Sequence, residues 1–202
     1  MTGDQFIGLA HSVEVAGETY VIEGPADADA RTRSAHAQGD PNPAYWAHLW
    51  PMARAFAHFV AETTWITPQT RVLEIGCGLG LVGIVAARRA AHVTLTDVSP
   101  EAVAMAARNA SCNRLANVSA QVYDFHAPPD PAWQVDLLLA SDVLYAPAAH
   151  AALAALIRGL NVPALLADPN RIPADNLEAE YEALGLSVWQ TRIEGGRVFV
   201  VQ

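Results

Sequence analysis

The chain has 202 residues, 52% of them hydrophobic, and a formal net charge of −9; this length fits one domain that buries roughly 70% of its unfolded surface. All 12 basic residues are arginine, which excludes Schiff-base lysine chemistry and a P-loop lysine, and an acidic chain without a basic stripe is a poor generic binder of nucleic acid. No apolar run approaches the roughly 20 residues that cross a bilayer, no signal peptide is visible at Met1–Gln5, and Cys77 and Cys112 are too few for a disulfide framework, so no membrane partner and a cytoplasmic location are expected.

Residues 11–23 alternate weakly around Ala16-Gly17-Glu18 and predict a short hairpin. Residues 24–43 are rich in Ala, Asp and Pro and read as a mobile connector or lid, so an N-terminal segment 1–43 is expected ahead of a domain spanning 44–202. Within 44–63, Pro51 predicts the first position of a helix that runs to about Ala61. Strands are then predicted at 71–75, 92–97, 118–123, 135–141, 163–167, 186–192 and 197–201, with helices at 80–90, 100–113, 147–160 and 173–184. The runs at 135–140 and 162–167 are apolar enough for a sheet covered on both faces. Glu194-Gly195-Gly196 signals a hairpin, so the last strand should run antiparallel. The expectation is an α/β, Rossmann-like open sheet, mostly parallel, with helices on both faces.

The strand Arg71–Ile75 leads into Gly76-Cys77-Gly78-Leu79-Gly80-Leu81-Val82-Gly83, and Asp97 closes the next strand. A nucleoside pocket at the carboxyl end of a parallel sheet is built this way. Gly78–Gly83 also fits the dinucleotide fingerprint G-x-G-x-x-G, so NAD stays open on the pattern alone. Pyrophosphate, however, wants bare N–H groups and no neighbouring anion, whereas Glu74 stands beside the glycines and no Lys or Arg lies between Val72 and Ala87. An acid there suits the cationic methionyl end of S-adenosylmethionine.

Four segments carry a family resemblance: Tyr45-Trp46-Ala47-His48-Leu49-Trp50-Pro51, Leu73-Glu74-Ile75-Gly76-Cys77-Gly78-Leu79-Gly80, Thr96-Asp97, and Ser141-Asp142-Val143-Leu144-Tyr145. With them, residues 45–202 resemble the class I, seven-strand S-adenosylmethionine-dependent methyltransferases, in the branch of the seven-strand protein lysine methyltransferases and their bacterial relatives. Ser141–Tyr145 is similar to that branch's D-x-x-Y motif after the fourth strand. Asp168-Pro169-Asn170-Arg171 is similar to the Asp-Pro-Gly-Arg of electron-transfer-flavoprotein lysine methyltransferases, but Asn170 stands where glycine is expected. No single substrate class is matched cleanly.

The resemblance implies a role for each site residue. Gly76, Cys77 and Gly78 form the floor of the cofactor pocket, with Cys77 a small packing residue, and Glu74 lies beside them. Asp97 accepts from both ribose hydroxyls, leaving Ser99 to cap the next helix. Asp124 and Phe125 hold the adenine. Trp50 lies at the methionyl end, where an aromatic face also suits a sulfonium, and Trp46 is structural or part of the entrance. Ser141, Asp142 and Tyr145 follow the fourth strand, where cofactor and acceptor meet; Asp142 and Tyr145 orient an attacking amine. The histidines show no metal-ligand spacing, so no metal is expected. Pro128–Trp133 reads as a loop. The leading expectation is N-methylation of lysine on a protein. Methylation of a small molecule is the alternative, and an NAD oxidoreductase or a non-catalytic nucleoside-binding domain are more distant ones.

Overall fold

The computed structural model describes residues 8–40 and 43–202; residues 1–7 and 41–42 of the expected N-terminal segment lie outside the described residues. Strands β1 (Gly8–Val15) and β2 (Glu18–Pro25) form an antiparallel hairpin. Ala16 and Gly17 turn it with φ of 50° and 82°, the pair of positive values that matches strand twist. Val13, Val15, Tyr20 and Ile22 face inward and join the main hydrophobic core. The hairpin is also fastened by two asparagines one helical turn apart. Asn109 accepts from Glu23 N–H and donates to its carbonyl, each at 2.9 Å. Asn113 does the same to Val21 at 3.0 and 2.7 Å. Their amides stand in for a neighbouring strand.

Helix α1 (Ala28–Ala37) follows, within the stretch expected to be a connector. None of its residues is buried, so no apolar periodicity marked it, although its alanines favour a helix. Helix α2 (Pro51–Glu62) begins at Pro51 as predicted. Strand β3 (Arg71–Ile75), helix α3 (Leu81–Ala86), strand β4 (His92–Asp97), helix α4 (Pro100–Cys112) and strand β5 (Val118–Val122) come next. Strand β6 (Leu137–Ser141), helix α5 (Pro147–Leu160), strand β7 (Ala164–Asp168), helix α6 (Leu177–Ala183) and strands β8 (Val188–Ile193) and β9 (Gly196–Val201) complete the order. Two predicted helices are shorter than expected. After Ala86 the turn tightens, with Arg88 and Arg89 bonding back to Val85 and Ala86. The last helix opens as a 3-10 turn over Ile172–Asn176, started by Pro173.

The seven-stranded sheet runs β5-β4-β3-β6-β7-β9-β8, parallel except that β9 is antiparallel to both β7 and β8. The chain winds outward from β3 to β5 and then crosses to the other side of β3, so the switch point lies between β3 and β6, where Ile75 pairs with Ala140. Crevices at such points receive ligands. Side chains alternate cleanly between two cores: Val72, Leu137, Leu139, Leu165 and Ala167 face one, while Leu73, Ile75, Leu138, Ala140 and Leu166 face the other. Both faces of β6 and β7 are covered, as their unbroken apolar runs imply.

Candidate active site

At the carboxyl end of β3 the chain turns at Gly76, whose φ is +62° and whose missing side chain leaves room for Val143: a Cβ would sit 2.8 Å from Val143 Cγ1. The loops after β3 and β6 therefore touch only because residue 76 is glycine. Beneath them, Glu74 is buried at the cleft floor, and its Oε2 accepts from Gly83 N–H at 2.8 Å. Burial pushes this carboxyl up to about 8, aided by nearby Asp97 and opposed by the Gly83 bond. Its bond to Gly83 pins helix α3, and the same side chain lines the cleft beside the glycines, where the sequence places it.

A pH dependence follows. The unfolded carboxyl titrates near its ordinary value, about 4.3, so the folded chain binds the extra proton between that pH and about 8. Glu74 then contributes stability that is full below the lower value and lost as pH rises through the upper one. The melting temperature of the native chain, measured against Glu74→Gln, should fall progressively from pH 5 to 9, an effect on the order of a few kcal/mol. A constant difference between the two proteins across that range would refute the assignment.

Asp97, at the end of β4, is buried and ties the glycine loop to its own turn: Oδ2 accepts from Gly78 N–H and Oδ1 from Ser99 N–H, each at 3.0 Å. Burial raises its carboxyl, against those backbone bonds. A carboxylate has about four acceptor positions, so capacity remains for hydroxyls. Ser99 caps α4, accepting from Ala102 N–H at 3.3 Å. Beyond β5, Asp124 accepts from His126 N–H at 2.9 Å and faces its ring Nδ1 at 2.8 Å; these contacts hold its carboxyl below the usual range. Phe125 stacks on His126 at 4.6 Å. This wall is apolar and acidic together, which suits a purine and its amine.

The opposite end of the cleft is aromatic and ionic. Trp50 donates its indole N–H to the Tyr45 carbonyl at 3.0 Å, and the Tyr45 ring meets Trp50 at 6.1 Å and Tyr145 at 6.4 Å, both edge to face. Tyr45 is held from α1, its hydroxyl 3.0 Å from His36 Nε2. Tyr145 is half exposed, and its hydroxyl is raised by burial and by Tyr45 and Asp97, with Arg171 opposing. Asp142 has φ of +63°, the left-handed region that carboxylates and amides tolerate best among branched-off side chains. Its Oδ1 accepts from Arg171 at 2.7 Å, and its Oδ2 lies 3.4 Å from the Ser141 hydroxyl.

One cleft of about 330 Å³ is lined by all eleven residues named from the sequence as site candidates, from Trp50 to Tyr145. Sequence reasoning gave no role to Tyr45, His36 or Arg171. Tyr45 lay inside a quoted motif. Arg171 was quoted too, but nothing in its spacing pointed to Asp142, 29 positions earlier. Asn170 has φ of +61°, so the position wants glycine, and asparagine is the commonest substitute there. The departure keeps the turn.

The sheet order, the glycine loop at the switch point and the acid ending β4 define a seven-strand nucleoside-binding α/β domain. Residues 38–165 match a family profile described as lysine methyltransferase, and the chain belongs to that family. It is similar to the electron transfer flavoprotein beta subunit lysine methyltransferase of Danio rerio, 29% identical over 136 residues, covering 65% of this chain and 52% of that protein. A shorter stretch of 61 residues is 48% identical to a 23S rRNA uracil-C5 methyltransferase of Methylococcus capsulatus, covering 30% of this chain and 14% of that one. The chain thus spans about half the length of the first of these relatives and a smaller share of the second. Among solved structures, a ribosomal protein L11 methylase from Lactobacillus delbrueckii subsp. bulgaricus shares the fold with a TM-score of 0.55 and 22% identity, over 73% of this chain and 76% of that chain. Among the described residues no helix is long and apolar enough to cross a membrane.

Proposed function

We propose that this chain is an S-adenosylmethionine-dependent N-methyltransferase acting on lysine side chains of a protein. The carrying observation is the polarity of the cleft at the carboxyl end of the sheet. A buried, doubly bonded Asp97 stands toward one end, and Asp142 and Tyr145 stand at the other, with glycine backbone between. Bound there, the cofactor supplies a methyl group on a positively charged sulfur. The chain's residues do the rest. Asp97 takes the ribose hydroxyls, Asp124 and Phe125 the adenine, and the face of Trp50 favours the sulfonium. Transfer is an in-line displacement whose main needs are alignment and exclusion of water. Tyr45, Trp50 and Tyr145 narrow the mouth, and Asp142 accepts an N–H of the amine so that its lone pair faces the methyl. A lysine ammonium, with an ordinary value of about 10.4, must first give up a proton.

One observation favours a small acceptor instead. Tyr45, which lines the cleft, is bonded to His36 of α1, so that helix is tied to the cleft wall. The two free cysteines, Cys77 buried and Cys112 exposed, are compatible with a reducing compartment, and a cytoplasmic location is part of this proposal. The test adds radiolabelled cofactor and purified protein to lysate from its source, separates protein, nucleic acid and small-molecule fractions, and hydrolyses the protein to amino acids. Counts in methyllysine, absent with Asp97→Asn, are expected. Counts only in the filtrate or in RNA would overturn the reading.

A further inference from the structure

Five ionic side chains form a network behind the acceptor end, where β6, β7 and β9 finish or begin. Asp168, fully buried at the end of β7, accepts from Arg171 N–H at 2.7 Å and faces the Arg171 guanidinium at 3.5 Å. That guanidinium reaches forward to Asp142 at 2.7 Å. Arg197 stands behind, 3.9 Å from Asp168 and 2.8 Å from Asp175, with its flat head 4.8 Å above the Phe199 ring. Gly196 brings β9 close enough for this: a Cβ there would overlap the Asp168 carbonyl. A buried strand end, a 3-10 turn and an antiparallel hairpin therefore converge on Arg171, which touches Asp142 where it lines the cleft with Ser141 and Tyr145.

Asp142 uses Oδ1 for Arg171, while Oδ2 has only the long Ser141 contact. Resting on the function proposed above, we propose that Arg171 is a positioning residue for the methyl acceptor: it fixes Asp142 so that Oδ2 alone meets the acceptor's N–H, and it sets a permanent positive charge beside the nitrogen that must attack as a neutral amine. The fork of a guanidinium can hold Asp142 and Asp168 together, which a point charge cannot.

The sign of the effect is fixed by the groups in place. Facing Asp142 are Arg171 and Asp168 from the β7 end; Tyr145 of its own loop and Tyr45 line the same end of the cleft, and Arg197 of β9 and Asp175 of the 3-10 turn stand behind. Burial already lifts the Asp142 carboxyl, and Arg171 is the main opposing influence. Removing that cation lets Asp142 take a proton at higher pH and makes a bound ammonium harder to deprotonate. Both move the acid limb of the rate profile upward.

The experiment measures initial methyl incorporation into the lysate protein fraction, with labelled S-adenosylmethionine, from pH 6 to 10 for the native chain, Arg171→Gln and Arg171→Lys. Arg171→Gln is expected to lose about tenfold or more at pH 7.5, to shift its acid limb up by about one pH unit, and near pH 9.5 to recover only to the severalfold deficit that loss of the fork leaves. Arg171→Lys should keep the limb in place while losing rate severalfold at every pH. Thermal stabilisation by S-adenosylhomocysteine should be retained in both, which shows that fold and cofactor end are intact. An unshifted limb in Arg171→Gln overturns the inference. If the Gln protein does not fold, a Lys protein as fast as the native chain overturns it too. A native chain that labels no protein overturns this and the proposed function together, whereas labelling by the native chain with an unshifted Gln profile sinks this inference alone.

Discussion

Asp97→Asn should weaken S-adenosylhomocysteine binding by roughly 100- to 10,000-fold and abolish methyl transfer, with the sheet still folded. Asp97 receives two backbone N–H groups at 3.0 Å, one on each oxygen. An amide offers one acceptor and one donor, so one of those N–H groups would face an NH2. Either Gly78 or Ser99 would lose its bond to β4's last residue, and a ribose bound there would lose the charge on its acceptor. Charge-assisted hydrogen bonds are worth about 1.5–3 kcal/mol each, and two of them account for the range given. Titration calorimetry reads the affinity directly. A dissociation constant within threefold of the native value would remove Asp97 from the cofactor site.

Gly83→Ala should lower the melting temperature by about 5–15 °C, the other large effect. Gly83 lies in α3 against the sheet, where an added methyl would overlap Leu95 Cδ2 and stand 2.5 Å from Glu74 Oε2. Either α3 lifts from β3 and β4, or Glu74 loses its bond to Gly83 N–H and leaves a buried donor unpaired. Overpacking costs about 1–3 kcal/mol, and the lost bond about 1–3 more. A drop below about 2 °C in a thermal melt followed by circular dichroism would show that the helix relaxes without cost.

Gly83 also explains why the sequence looked like a dinucleotide site. The third glycine of the fingerprint serves close packing of helix on strand, a demand this sheet makes whatever ligand it binds. The pattern reports geometry and not cofactor. The sheet itself was legible because β6 and β7 are unbroken apolar runs, and the hairpin β8–β9 because of Gly195-Gly196. Helix α1 was not, since it buries nothing and has no stripe to read. Glu74 was legible as an acid beside the glycines, but its bond to Gly83 N–H and the raised carboxyl that burial brings were not, because both depend on how α3 packs on β3. The pairing of Asp142 with Arg171 depends on β6 and β7 lying side by side, a register that spacing along the chain does not encode.

Both cations of the network behind Asp142 are guanidinium groups, and the 202 residues contain no amino side chain at all. A guanidinium stays charged at any pH at which the protein is folded. The field it casts on the cleft is therefore constant, and whatever varies with pH there belongs to the cleft's carboxyls, to Tyr145 and to the incoming amine. If the proposed activity holds, none of these 202 residues can mimic the substrate by folding a lysine back into the cleft, and none can itself become methyllysine.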